Sequence, residues 1–285
     1  MGLESLNVKA RRGGQAVAAR PAGSVQPRAV EVAKAALPVA IQADERFVHQ
    51  GLSRNATSTD QPRGQSPTTL PVAVELLRDE PFTSPMLPRE RKLVVLKELD
   101  DLQVKPCRKC GLCQTRTQTV FGEGDADARV MFIGEGPGGE EDASGRPFVG
   151  RAGQLLEKMI NAMGLSRGQV FIANIVKCRA YHVEPSPKDR PPSPQEVAAC
   201  SPYLLRQIEI IRPAVIVTLG LPSSQFLLGS KLAMGKMRGN WTEFRGLKVM
   251  PTYHPAYVLR NYTDETRALV WGDLQKVMVE LGLKR

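Results

Sequence analysis

From about residue 93 onward the apolar residues alternate between two textures. Residues 89–104 (RERKLVVLKELDDLQV) space Leu93, Val94, Leu96, Leu99 and Leu102 at near-helical intervals with charges between them, which predicts an amphipathic helix. Residues 129–134 (RVMFIG), 170–176 (VFIANIV), 214–219 (AVIVTL) and 247–253 (LKVMPTY) are short apolar runs with the length of buried strands. Helical spacing returns over 153–163, 194–211, 221–228 and 264–281, and Pro194 opens its helix where a missing N–H costs nothing. Apolar strands alternating with helices imply a parallel sheet covered on both faces. The pattern therefore predicts a three-layer α/β/α domain with a central, mainly parallel four-stranded sheet. Ligands of such sheets sit at the carboxyl ends of the strands. The loops after Gly134, Asn174, Gly220 and Tyr253 are where chemistry is expected.

Residues 1–92 read differently. They hold 9 of the 22 prolines and only two aromatics, Phe47 and Phe82, so they have little to bury against the entropy of ordering. The expectation is a disordered extension over 1–92, with one short amphipathic run at 29–42 interrupted by Pro38, followed by a domain over 93–285. A basic start (Lys9, Arg11, Arg12) also suits a nucleic-acid tether, but a solvated extension is the simpler reading. The whole chain of 285 residues carries a formal charge of +10. The extension, with 13 basic and 9 acidic residues, supplies only +4 of it, so the basic bias lies mostly in the domain. A polyanionic partner fits that bias. No run of 18 apolar residues exists and no apolar signal core opens the chain, so no membrane association and a cytoplasmic location are expected.

The strand-end loops carry the candidate groups. After the first strand comes Gly134-Glu135-Gly136-Pro137-Gly138-Gly139-Glu140-Glu141-Asp142. Its glycines let backbone approach a ligand, but no Gly-Lys-Ser/Thr follows and the dinucleotide spacing is absent. A carboxylate there suits water activation or stabilisation of a cation; a turn with solvated acids is the competing reading. Phe148, in the loop 145–150 (GRPFVG), either stacks on a ligand ring or staples the next helix. Asn174 ends a strand with one donor and one acceptor to offer, or caps a turn. His254, fixed by Pro255, is the one of three histidines (His49, His182, His254) at the sheet's carboxyl edge.

All five cysteines lie between 107 and 200: Cys107, Cys110, Cys113, Cys178 and Cys200. An odd count argues against a disulfide framework, and Cys107-x2-Cys110 is a metal-binding start. The run through Cys113 is ferredoxin-like but lacks the fourth cysteine. Completion from Cys178 and Cys200 would give an all-thiolate site for zinc or an iron–sulfur cluster.

Together, Cys107-x2-Cys110, GEGPG (134–138), GRPFVG (145–150), NIVKCR (174–179), Cys200 and HPAYVLRN (254–261) resemble the family 4 uracil-DNA glycosylases, iron–sulfur enzymes of bacteria and archaea. The resemblance runs from Cys107 to the C-terminus in matching order. It implies a monofunctional DNA-repair glycosylase that flips deoxyuridine out of DNA, hydrolyses its N-glycosidic bond and leaves an abasic site. It implies Cys107, Cys110, Cys178 and Cys200 as ligands of a [4Fe–4S] cluster, with Cys113 extra. Glu135 and His254 are implied as catalytic, and Gly136, Glu141, Phe148 and Asn174 as the uracil pocket. Tyr257, Val258, Leu259 and Arg260 match a DNA-contacting loop. Lys177, Arg179, Lys236 and Arg238 are expected to track phosphates. The expected partner is uracil-containing DNA, single- or double-stranded, bound by a nucleoid-associated monomer.

One stretch departs from the family pattern: Tyr181-His182 and the proline-rich residues 183–192. A related branch uses a histidine nucleophile within a basic insertion that is absent here, which disfavours that role for His182. The competing functions are a glycosylase for another deaminated base such as hypoxanthine, a non-catalytic damaged-DNA binder, and an iron–sulfur redox protein.

Overall fold

The computed structural model describes residues 80–182 and 188–284. The expected extension therefore lies outside the described residues as far as residue 79. The remainder of it belongs to the fold. Phe82 packs against the core, under the guanidinium groups of Arg212 and Arg245. Lys92 is fully buried, its Nζ donating to the Ile211 carbonyl at 3.0 Å and pairing with Asp127 at 2.7 Å. The folded region thus begins ahead of the boundary expected at 92/93.

Helix α1 (Arg89–Leu99) continues into a wider turn over Asp100–Val104. Then follow β1 (Glu123–Gly124), β2 (Val130–Gly134), α2 (Gly139–Ser144), α3 (Arg151–Ala162) and β3 (Phe171–Asn174). A small hairpin, β4 (Tyr181–His182) and β5 (Lys188–Asp189), precedes the long α4 (Pro194–Ile211). The chain closes with β6 (Val215–Leu219), α5 (Leu221–Leu228), α6 (Met234–Met237), β7 (Thr242–Phe244), β8 (Leu247–Thr252), α7 (Pro255–Arg260) and α8 (Asp264–Glu280).

The main sheet has six strands in the order β1-β3-β2-β6-β8-β7. The four expected strands form its parallel centre, β3-β2-β6-β8. Two short antiparallel strands, β1 and β7, flank that centre, so the expected four-stranded count is corrected to six. Side chains alternate across the pleat. Met131, Ile133, Ala173, Ile216 and Val249 face Leu96, Leu204 and Ile208 of α1 and α4. Val130, Phe132, Ile172, Val217 and Met250 face Leu156 and Ile160 of α3 and Leu274 and Val277 of α8. Both faces are buried, which is why these strands read as continuous apolar runs. Each such side chain contributes on the order of 2 kcal/mol by leaving water.

Local chemistry sets the helix limits. Ser193 caps α4 by accepting from the Glu196 N–H at 3.2 Å, and the Glu196 carboxylate accepts from the Ser193 N–H at 2.7 Å. Thr263 caps α8 in the same manner. The register aligns Gly134 with Asn174 and Leu219 with Thr252, so the parallel strands end along one edge. Among the described residues no helix is long and apolar enough to cross a membrane.

Candidate active site

A cleft of about 1060 Å³ opens along that edge. Glu135 and Gly136 from the end of β2, Phe148, Asn174, Gly220 and His254 all line it. Tyr257 and Arg260 of α7 stand on the same wall. Glu141 also lines it. Four separate strand ends have therefore brought the predicted residues into one cavity.

The floor is braced from outside the cleft. Phe148 has a φ of +51°, in the left-handed region that a bulky residue enters at a cost of about 1–3 kcal/mol. Arg167 holds it there, donating to the carbonyls of Phe148, at 3.0 Å, and of Pro147. Arg167 is in turn anchored by Glu123, 2.7 Å from its Nε, and Glu123 also takes both arms of Arg146. The hydrogen bonds from Arg146, joined by those from Arg167, hold the Glu123 carboxyl down at about 2. Close packing leaves room only for glycine at two neighbours. A Cβ on Gly153 would lie 2.0 Å from the Phe148 backbone, and one on Gly134 would lie 2.4 Å from Asn174 Oδ1 and 2.6 Å from the Phe148 ring.

The acids at 140–142 start α2 and do not form a solvated turn. Glu141 is fully engaged: its Oε1 accepts from the N–H groups of Val149 and Gly150 at 2.9 Å, and its Oε2 from Gly138 at 3.1 Å. It ties the glycine loop to the Phe148 loop. The buried Asp142 accepts from the Thr117 N–H at 2.9 Å and ties in the cysteine loop.

Among the polar groups that line the cavity are Asn174, His254 and Glu135. Asn174 is buried, and its Oδ1 has no hydrogen-bond partner. A buried acceptor left open costs about 1–3 kcal/mol, and here it awaits a donor from a ligand. His254 caps α7: its Nδ1 accepts from the Ala256 N–H at 3.1 Å. That bond commits the neutral ring to carrying its proton on Nε2. Burial, aided by Arg260 and opposed by Glu141, draws His254 down to about 4, so the ring is neutral at pH 7. Its centroid lies 5.7 Å from that of Phe148. Gly220, at φ +88°, permits this approach, since a Cβ there would lie 2.9 Å from His254 Cβ. Burial also raises the Glu135 carboxyl above its ordinary value.

The DNA-contacting residues need correction. Residues 255–260 form a helical turn, not a loop. Val258 is buried in the core beneath it and cannot enter a duplex. Tyr257 and Arg260 are exposed, Leu259 is half-buried, and Tyr257 stacks on Tyr253 with centroids 4.7 Å apart. Two of the expected phosphate-tracking cations are also committed inside the fold. Lys177 is completely buried, bonded to the Asn174 carbonyl and to Gln207. Arg238 pairs with the buried Asp273. Arg179 spans from Asp189, at 2.6 Å, to the ring of Tyr181, while Lys236 is exposed. His182 is exposed on the hairpin, apart from the residues that line the cleft.

The sequence reading missed Arg167, Glu123 and Gln207, which have no local signal. Gly220 had one: the Leu-Gly-Leu-Pro break directly after a buried strand.

The described thiols differ in burial. Cys178 and Cys200 are buried; Cys107, Cys110 and Cys113 are half-buried. Burial pushes Cys200 up to about 12, with the neighbouring charges of Cys178 and Cys110 adding to the shift. Cys178 is raised chiefly by burial, with Cys110 and Cys107 contributing, which places these four thiols in one neighbourhood. Two donors address the sulfurs: Arg116 Nη1 lies 3.3 Å from Cys178 Sγ, and the Lys177 N–H lies 3.1 Å from Cys200 Sγ. Such donors stabilise thiolates that ligate iron. Among the described residues no three His, Cys, Asp or Glu side chains converge on a single ion. The case for a bound group rests on donor chemistry and shared burial.

Comparison with known proteins agrees with this geometry. A Type-4 uracil-DNA glycosylase of Thermotoga maritima is 47% identical over 193 residues, spanning 67% of this chain and 95% of the relative. Proteins of the same name from Saccharolobus solfataricus and Sulfurisphaera tokodaii are 46% and 45% identical, spanning 64% and 61% of this chain and 85% and 80% of theirs. The family model described as the Uracil DNA glycosylase superfamily matches residues 121–275, more than half of the sequence and every strand of the parallel sheet. With its strand-end cleft and its matching span, this chain belongs to the uracil-DNA glycosylase superfamily.

Proposed function

We propose that this chain is a DNA-repair hydrolase that releases uracil from DNA and leaves an abasic site. The observation that carries the reading is the unpartnered Oδ1 of Asn174 at the base of a cleft shared with Phe148 and His254. Uracil presents a donor at N3–H flanked by acceptors at O2 and O4. Asn174 accepts from N3–H through Oδ1 and donates its amide to O4, whereas cytosine presents an acceptor at N3 and a donor at C4. Phe148 stacks on the ring. Flipping the nucleotide out costs a few kcal/mol, offset by these contacts.

Breaking the N1–C1′ bond leaves negative charge on uracil and positive charge on the sugar. His254, neutral and protonated on Nε2, donates to O2 as that charge develops; a single preorganised donor of this kind is worth about 10²–10³ in rate. Glu135, which lines the cleft and whose side-chain carboxylate has no hydrogen-bond partner among the described residues, stabilises the sugar cation and orients the attacking water. Glu141 supports the pocket through the backbone groups it holds. Tyr257 and Arg260 on the rim contact the DNA strand, while Val258 supports them from the core.

Cys107, Cys110, Cys178 and Cys200 would hold a [4Fe–4S] cluster, which when bound clamps the cysteine loop, the end of β3 and helix α4 together. Cys113 is no ligand in this reading. Cys178→Ser should abolish the visible absorbance of the cluster while Cys113→Ser keeps it; full iron in Cys178→Ser would refute the ligand set. The enzyme acts as a monomer in the cytoplasm, in contact with the nucleoid.

The test is release of uracil from a single-stranded oligonucleotide by protein purified without oxygen. Alkali-sensitive cleavage at the uracil is expected, and its loss in His254→Ala. No cleavage by folded, iron-loaded protein would overturn the reading, and release of hypoxanthine instead would redirect it.

A further inference from the structure

Residues 174–178 join the base-reading group to the thiol neighbourhood, and every N–H of residues 175–177 is tied down. The Ile175 N–H donates to the Gly134 carbonyl at 3.0 Å and the Val176 N–H to Glu135 at 3.2 Å. The Lys177 N–H donates to Cys200 Sγ at 3.1 Å, and its carbonyl accepts from the Val120 N–H at 2.7 Å. The carbonyl of Asn174 is held by a side chain instead: Lys177 reaches back to it through Nζ at 2.9 Å. The same ammonium donates to Gln207 Oε1 at 2.7 Å, and Gln207 Nε2 donates to the Phe121 carbonyl at 2.9 Å. Lys177 and Gln207 are both completely buried.

A lysine in such a place needs a purpose. Burying a cation is costly unless it is fully hydrogen-bonded, and an apolar side chain of similar size would fill the space at lower cost. This lysine spends its bonds on one backbone carbonyl and one amide that is itself anchored to a different loop. The carbonyl is that of a cleft-lining residue whose own side-chain acceptor, Oδ1, is buried and unpaired. Asn174 stands in register with Gly134, where an added Cβ would come within 2.4 Å of Oδ1, so a small rotation of that peptide would move Oδ1 within closely packed surroundings.

We propose that Lys177 and Gln207 are a positioning pair that fixes Asn174 for reading the base and ties it through the Lys177 peptide to Cys200. The pair touches no substrate; it acts through Asn174. This rests on the uracil-releasing reading given above. It assigns Gln207, on a helix that does not line the cleft, to base discrimination.

A double-mutant cycle on the full chain tests it. Gln207→Leu removes the amide, and with it the bonds to Lys177 and Phe121, with little change of volume, and Gln207→Met serves if that variant does not fold. Single-turnover uracil release, binding to DNA carrying a base-less tetrahydrofuran site, and iron content are measured in parallel. Uracil release by Gln207→Leu should fall about 10- to 100-fold, the loss that a displacement near 1 Å produces, with abasic-site binding and iron content kept at wild-type levels. In an Asn174→Ala background the same substitution should cost no further activity, because interacting residues are non-additive. Additive losses, or a loss of iron parallel to the loss of activity, would overturn the positioning role while leaving the uracil-releasing function standing. A wild-type protein that releases no uracil would overturn both.

Discussion

The floor and the rim of the cleft are built on opposite terms. The floor, formed by Gly134, Phe148 and Asn174, is locked by polar side chains: Glu141, Arg167 and Lys177 each hold backbone atoms of the pocket. The rim, formed by α7 and the hairpin, is held by stacking of Tyr253 on Tyr257 and by the partly exposed pair of Arg179 with Asp189. With the surrounding backbone so held, the side-chain amide of Asn174 remains for a ligand, and beside it Nε2 of His254. Rim groups remain adjustable. A site that must read one base inside a variable strand profits from that division, since preorganisation is valuable where discrimination occurs and costly where sequences differ.

The division is open to attack at its strongest point first. Glu141→Ala removes the acceptor of three backbone N–H groups at once. It should lower unfolding free energy by about 1.5–3 kcal/mol and cut uracil release with it, as denaturant melts and a single-turnover assay would show. Wild-type activity in that variant would mean that the floor is not held as described.

The titration of Glu135 sharpens the account further. Its carboxyl is raised by burial, so protonation on acidification removes the anion earlier than for an exposed glutamate. Release should therefore decline as pH falls, from a point above the ordinary glutamate range, and Glu135→Gln should be slow and lack that limb. His254, drawn to about 4, stays neutral from pH 5 to 8 and adds no limb there. The smallest effect belongs to the rim. Tyr257→Ala should weaken DNA binding by about 1 kcal/mol, through the loss of one exposed stacking face, and leave the rate at saturating protein unchanged.

The same contrast explains what the sequence disclosed. Helix α4 was legible with its observed bounds from its helical spacing and Pro194, and the structure adds the Ser193–Glu196 cap to that start signal. The four parallel strands were visible as apolar runs because both faces of the sheet are covered. Strands β1 and β7 were missed, since pairs of two or three residues are decided by the neighbouring strand. Helix α2 was not legible in the acidic stretch, because the N–H groups that engage Glu141 and Asp142 come from other loops. Lys177 and Arg238 were taken for phosphate contacts on the general rule that cations are exposed. Their partners, Gln207 and Asp273, lie 30 and 35 residues away, so only the fold could reveal them. Asn174 and His254 were legible by position, as polar residues ending buried strands in a parallel sheet.

The most direct test compares Asn174→Ala with wild type in two assays: uracil excision from a single-stranded oligonucleotide and binding to DNA with a base-less tetrahydrofuran site. The account predicts that excision falls by about 10²-fold or more while binding to the base-less site is unchanged, because Asn174 touches only the base. Equal losses in both assays would contradict it.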